Sequence, residues 1–508
     1  MSVEDIEPPG CPDFALHTIL RMSRRTCVEI SWSFSLLYIS DKRMIPLSYK
    51  YTNNICKNGL SLHPSMEIAL NGHYGYKRLV VSSIPSILMM LVGSIYSVVD
   101  GLFVSNFVGT SAFAALNIIW PAVMLVGSLG LMVGTGGSAL VSKTMGEGDY
   151  YRASQIFTML VKFTILLSLV FMVPLLVFME PLARLLGAEG ETARLCVVYG
   201  SICTVGLPAF MLQMCFQSFY MTAERPQLGT VMSIVCAVTN MVLDALFIAV
   251  FHWGLAGAAA ASMLACCVGG FFPLWYFSSR HNKSSLRLMP AKLEREPLLQ
   301  ASSNGLSEYV GNISWNILAI CYNLQLLRMM GENGVAAYSV LLYYGYIFAA
   351  VFFGYNIAVT PVIGYNYGAG NKAELKSLLR HSMILLLVLG ALMTLVSELT
   401  AGPAARLFVG YDPELSALTK HAIRLYMLSF FIAGINLFAS AWFTGLGNGK
   451  VSAFVSFVRN LVFELGFVFL LPVLLGPDGI WLAVDAADLC CLILCVSLIL
   501  AYRKRYGY

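Results

Sequence analysis

The chain of 508 residues is 58% hydrophobic and only 12% charged, with a net charge of +5 and a mean hydropathy of +0.74. Soluble domains carry about 25% charged residues, so this chain has too little polar surface to stay dispersed in water. Its basic residues are scattered through short loops instead of clustered on one face, which excludes a nucleic-acid partner.

Residues 1–65 stand outside the pattern that follows. Arg21 to Ser40 joins a basic start to an apolar run too short to span a bilayer; no small-residue cleavage site follows it, and 41–58 is polar. Met66 opens MEIALNGHYGYKRL, an amphipathic lead into the first span. Met66 is therefore read as the natural start, with 1–65 a disordered extension or a mis-assigned start.

From Leu79 onward, apolar windows of about 20 residues predict six spans at 79–103, 113–142, 153–179, 192–217, 226–250 and 255–278. After a basic linker (279–304) six more follow at 306–330, 335–365, 376–399, 415–441, 450–473 and 479–502. Continuous apolar runs exclude a β-barrel, whose strands alternate. Cysteines such as Cys266, Cys267, Cys490 and Cys491 lie inside these runs and form no CxxC pair, so they read as small apolar fillers.

The two sets of spans are one segment written twice. Gly109 pairs with Gly331, Gly146 with Gly368, Gly148 with Gly370 and Gly254 with Gly476, all at one offset (331 − 109 = 222). Six spans per copy is an even number, so matching helices run the same way. The predicted fold is an all-α membrane protein of twelve transmembrane helices. Its two six-helix lobes, 66–278 and 305–508, are related by a pseudo-two-fold axis along the membrane normal.

One set of loops holds Lys77, Arg78, Lys143, Arg152, Arg225, Lys372, Lys376, Lys450 and the tail Arg503, Lys504 and Arg505. The linker adds Arg280, Lys283, Arg287, Lys292 and Arg295, whereas the other side offers mainly Arg184, Arg194, Arg328 and Arg406. The positive-inside rule places both termini and the linker in the cytoplasm.

An ionisable side chain at membrane depth costs at least about 2.5–3.5 kcal/mol on insertion scales. Asp100 falls near the outer end of the first span, Asp244 in the outer half of the fifth, and Asn240 one turn before Asp244 on the same face. Ser262 lies two turns into the sixth span, at a similar depth by a rise of about 1.5 Å per residue. These oxygens suit a proton shared between carboxylates or a hard cation such as Na+. The plainer readings are a wetted interfacial Asp100 and an Asp244 satisfied by a helix–helix hydrogen bond.

At the offset Asp100 meets Tyr322 and Asp244 meets Gly466. The second copy has its own acids: Glu308 opening the seventh span, Glu464 in the eleventh, and Asp485 and Asp488 in the twelfth. Arg459 lies close enough in sequence to neutralise one of them. Pro85 and Pro121 remove backbone donors inside spans one and two. Gly127, Gly130, Gly134, Gly136 and Gly137 along span two favour close helix packing. No GxxxxGK[ST], HExxH or GxSxG motif occurs, which speaks against direct ATP use and against an enzyme.

SIYSVVDGLFVSNFVG, AFAALNIIWP, SKTMGEGDYYRA, GENGVAAYSV and GYNYGAGNKAEL together resemble the multidrug and toxic compound extrusion (MATE) family, in its bacterial branch of MepA- and DinF-type exporters. The likeness runs from Met66 to the end of the chain. It implies a multidrug efflux antiporter of the inner (plasma) membrane, a monomer without a cofactor. Such a protein exports cationic or amphipathic small molecules against H+ or Na+ by alternating access. By the archaeal DinF-type pattern, Asp100, Asn240, Asp244 and Ser262 are the coupling residues, for a proton or for Na+, and Pro85 is the helix-bending residue. Glu308 resembles the seventh-helix glutamate of vibrio-type members only loosely, and Glu464 and Asp488 are further secondary candidates. The alternative is a lipid-linked saccharide flippase of the same superfamily, which needs a cationic cavity for pyrophosphate; Lys162 and Arg459 are basic residues set well inside spans that could serve one.

Overall fold

The computed structural model describes residues 69–508; the expectation for 1–65 lies outside the described residues. Helices Tyr76–Phe107, Thr110–Gly146 and Tyr150–Val177 form spans 1 to 3. Span 4 is a pair, Gly190–Val205 and Leu207–Thr222, bent by 59°. Gly206 and Pro208 sit at that joint, where proline suits the first turn of a new helix. Span 5 runs as α-helix over Pro226–Asp244 and continues in π-helical turns over Ala245–Val250. Span 6 is Gly254–Ser278.

In the linker, helix Arg295–Asn304 leads into a helix of 63 residues, Leu306–Gly368. Gly331, at φ 66° and ψ −155°, interrupts it and separates span 7 from span 8. Span 9 is Lys372–Val409. Span 10 joins Pro413–Tyr426 to Phe430–Gly445 through one 3-10 turn. Span 11 runs from Gly449 to Leu475 with π-helical turns at Val458–Glu464, and span 12 from Asp478 to Tyr506. Among the described residues, ten helices are long and apolar enough to cross a membrane, and the bent pair makes an eleventh. Dividing the longest at Gly331 makes the twelve expected.

The duplication is visible in the backbone. Gly109 and Gly331, Gly148 and Gly370, and Gly254 and Gly476 all adopt positive φ, a region that side chains with a Cβ disfavour. The N-caps match too: Asp149 accepts from the Arg152 amide at 2.8 Å, and Asn371, at the same offset (371 − 149 = 222), accepts from the Glu374 amide at 3.1 Å.

The lobes meet about the two-fold. A Cβ on Gly146 would stand 2.0 Å from the Tyr365 carbonyl oxygen, and one on Gly368 would stand 2.0 Å from that of Lys143. Tyr365 and Lys143 are themselves counterparts (365 − 143 = 222), so the contact is reciprocal, as a two-fold requires. Gly136 and Gly305 likewise bring span 2 against the start of span 7. Both contacts lie toward the end of the bundle that carries the basic loops. There one apolar core takes residues from both lobes, from Leu70 and Val141 to Phe443 and Tyr508. At the other end Val104, Ile119, Cys196 and Leu255 belong to a separate core made of spans 1 to 6 alone. The lobes are closed at the basic end and have separate cores at the other.

The glycines of span 2 serve packing. Gly130 and Gly134 let it approach the Met211 and Cys215 backbone of span 4, and Gly137 lies against Leu160 of span 3. Cys196, Cys203, Cys215 and Cys266 are free and buried, as apolar fillers would be.

Candidate functional site

Span 5 contributes Asn240 and Asp244, one helical turn apart on its buried face. Asn240 is 1% exposed, Asp244 0% and Ser262 of span 6 4%. The Asn240 Nδ2 donates to Ser262 Oγ at 3.1 Å. Asp100 of span 1 reaches the same place, and its carboxyl interacts directly with that of Asp244. All four residues are thus brought together from spans 1, 5 and 6. The partners differ in one respect from a simple asparagine–aspartate pair: Asn240 is held by Ser262, while Asp244 faces Asp100.

Four buried oxygens here lack a hydrogen-bond donor among the described residues: Asp100 Oδ1, Asn240 Oδ1 and both of Asp244. Two carboxylates are both acceptors when ionised, so their contact is favourable only with a proton or a cation between them. Orphaned oxygens from two carboxyls and an amide fit either a proton or Na+, which would be cargo of the site and not a resident group. Pro85 stays within a continuous span 1, and its carbonyl accepts from Thr230 Oγ1 of span 5 at 2.7 Å. That bond ties together the two helices that carry the facing acids.

The acids of the second lobe divide into two kinds. Asp488 is locked: Arg459 Nε and Nη2 donate to its two oxygens at 2.6 and 3.1 Å, and Asn436 Nδ2 adds a bond at 2.9 Å. Glu464, expected as a possible partner of Arg459, instead accepts from the Tyr322 hydroxyl at 3.4 Å. Glu308 is half-buried in the first turn of span 7, and its carboxyl has no hydrogen bond or ion pair among the described residues. A carboxylate there is favoured by the helix dipole. Lys162, well inside span 3, donates to the Ala291 carbonyl of the linker at 2.9 Å. Lys162 and Arg459 are thus both engaged, and the saccharide-flippase alternative is not favoured.

One cluster was not foreseen from sequence. The segment before span 1 straps the lobes together: Glu374 at the start of span 9 accepts from the Tyr74 amide at 2.7 Å and pairs with His73 Nδ1 at 2.8 Å. On its other side the Leu70 amide donates to Glu224 at 2.8 Å. The cap pattern Asn371–Glu374 marks the acid as a helix-start residue, but its use by the other lobe depends on a contact 300 residues away.

A duplicated bundle of twelve spans with facing buried acids defines a membrane carrier of two lobes. The MatE family model matches the chain twice, at residues 85–246 and 309–470. The protein belongs to the MatE family and is a multi-pass membrane protein, not an enzyme. It is 22% identical over 435 residues to the multidrug export protein MepA of Staphylococcus haemolyticus, covering 85% of this chain and 94% of that one. To the MepA of Staphylococcus aureus strain MSSA476 it is 21% identical over 431 residues, with the same coverage. Two solved structures share the fold. One is a multidrug resistance MATE family transporter of the MOP superfamily in an outward-facing conformation, with a TM-score of 0.80, 22% identity, and 88% and 99% of the two chains covered. The other is a MOP superfamily transporter from Pyrococcus furiosus, with a TM-score of 0.79, 22% identity and the same coverage.

Proposed function

We propose that this protein is a secondary active multidrug exporter. It antiports cationic or amphipathic small molecules out of the cell against H+ or Na+ by alternating access between its lobes, 66–278 and 305–508. The observation that carries this reading is the Asp100–Asp244 contact, whose orphaned oxygens need a cation. Coupling then has a physical basis. A cation bound there neutralises buried charge, and it biases the two lobe arrangements by its differential affinity for them. A cationic substrate competes for the same negative lobe. Asn240 and Ser262 hold the acids' surroundings in place, Pro85 is the bending point of span 1, and Glu308, Glu464 and Asp488 are secondary positions. The basic loops support an inner-membrane orientation with both termini and the linker 279–304 cytoplasmic. The working unit is a monomer, and no cofactor is required.

The test is efflux from proteoliposomes under an imposed pH or Na+ gradient, across a panel of organic cations. The expected result is uphill movement of several of them driven by one gradient and absent without it. Transport that ignores both gradients refutes the antiport reading.

A further inference from the structure

The two-fold that exchanges the lobes carries span 1 onto span 7 and span 5 onto span 11. Asp100 therefore falls on Tyr322 (322 − 100 = 222). In the first lobe Asp100 meets Asp244 of span 5; in the second, Tyr322 donates to Glu464 of span 11. Both span-5 and span-11 acids adjoin π-helical turns, Asp244 just before Ala245–Val250 and Glu464 as the last residue of Val458–Glu464. A π turn holds more residues than an α turn. In span 11 the buried position is Glu464, two residues before the exposed literal counterpart, Gly466 (466 − 464 = 2).

We propose that Glu464, with Asp485 beside it, is a second proton-binding site, the counterpart in the C-terminal lobe of the Asp100–Asp244 site. One cation, Arg459, stands in the cluster, and three carboxyls share it. Arg459 on the same span is committed to Asp488 of span 12, which makes that pair neutral. Spans 7, 8 and 10 contribute Tyr322, Tyr338 stacked on it at 4.9 Å, and Tyr426 edge-on at 6.4 Å. Asp485 of span 12 lies near Glu464, with both oxygens buried and no side-chain donor among the described residues. Two carboxyls thus remain at membrane depth beyond what the one arginine can neutralise.

A separate observation indicates what would bind. Asn436, 1% exposed, is held in the cluster through its Nδ2, and its buried Oδ1 has no partner among the described residues. An unused acceptor one hydrogen bond away from Asp488 marks a cluster short of donors, and a protonated carboxyl supplies one. Three tyrosine rings replace part of the oxygen shell that a hard metal cation requires. The site stands on this geometry; only the use of its proton in export rests on the function proposed above.

The test is infrared difference spectroscopy of the full chain in liposomes across a pH step, reading the protonated-carboxyl band. The expected result is one component lost in Glu464→Gln and a different one lost in Asp244→Asn, each variant keeping the other. Tyr322→Phe, which retains the acid, should shift the Glu464 component without deleting it and so serves as the control against misfolding. In transport, Glu464→Gln should lower the number of protons moved per substrate by one. A spectrum unchanged by Glu464→Gln, or a Glu464 component that responds to Na+ at fixed pH, overturns the proposal. Loss of the Glu464 component with none lost in Asp244→Asn supports it and counts against the first-lobe reading instead.

Discussion

Asp244 is fully buried with neither oxygen paired to a donor, and its carboxyl meets that of Asp100. Whatever neutralises the pair sets the energy of the whole lobe. Asp244→Asn fixes the neutral form at nearly constant shape, so the protein should insert and fold but lose its response to the coupling ion. Export should fall by at least about tenfold, since a cation that no longer distinguishes the two states shifts nothing. Dye efflux in an exporter-deficient host, at matched membrane abundance, measures this; wild-type efflux from the variant sinks the assignment. Ser262 holds Asn240 by one buried hydrogen bond. Ser262→Ala leaves a buried amide donor unpaired, at a cost of about 1–3 kcal/mol, and should lower export, while Ser262→Thr should retain it.

Among the elements, the strap and the linker are the ones that join separate parts of the chain. Glu374 is buried, and its carboxylate satisfies the Tyr74 amide from the opposite lobe. Glu374→Ala removes that acceptor and the His73 pairing together, so the closed basic end should loosen. Cysteines placed near Gly146 or Gly368 should then label faster from the basic side; unchanged labelling would show that the strap is passive. The linker is tied differently. Arg152 pairs with Glu294 at 2.5 Å and holds its carboxyl below the ordinary range. A carboxylate lowered on folding contributes above its unfolded value and is lost as pH falls through the folded one. Hydrogen exchange around Ala291–Glu296 should therefore quicken below about pH 4, and Arg152→Ala should abolish that pH step.

For the whole molecule, the crossing of Gly146 and Gly368 decides how closely the lobes can shut. A methyl group at Gly368 would meet the Lys143 carbonyl oxygen at 2.0 Å, a backbone atom that cannot step aside. Overpacking of this kind costs about 1–3 kcal/mol. Because the contact exists only when the basic end is closed, Gly368→Ala should shift the equilibrium toward the opposite arrangement by about 5- to 150-fold. Each lobe should still fold. Spin-label distances across the two ends read the shift, and an unchanged distribution would mean that the crossing persists in both states.

Much of this was legible from residue order. Apolar runs of bilayer length can satisfy their backbone only as helices, so the twelve spans followed from composition. The constant offset between Gly109 and Gly331 followed from the backbone's demand for positive φ at the same places in both copies. Buried acids announce themselves by their cost, so Asp100 and Asp244 stand out in the sequence, with Asn240 and Ser262 at a similar depth. Pairing was a different matter. That Arg459 takes Asp488 and leaves Glu464 to Tyr322, that Asn240 turns to Ser262, and that Glu374 receives Tyr74 all depend on side chains brought together from distant helices. The buried acid of span 11, Glu464, also sits two residues from the literal offset, which the sequence alone does not signal (466 − 464 = 2). Sequence order alone determined which helices form and which residues are too polar for them; the tertiary packing decided which of those residues share a charge, because that depends on distance and not on order.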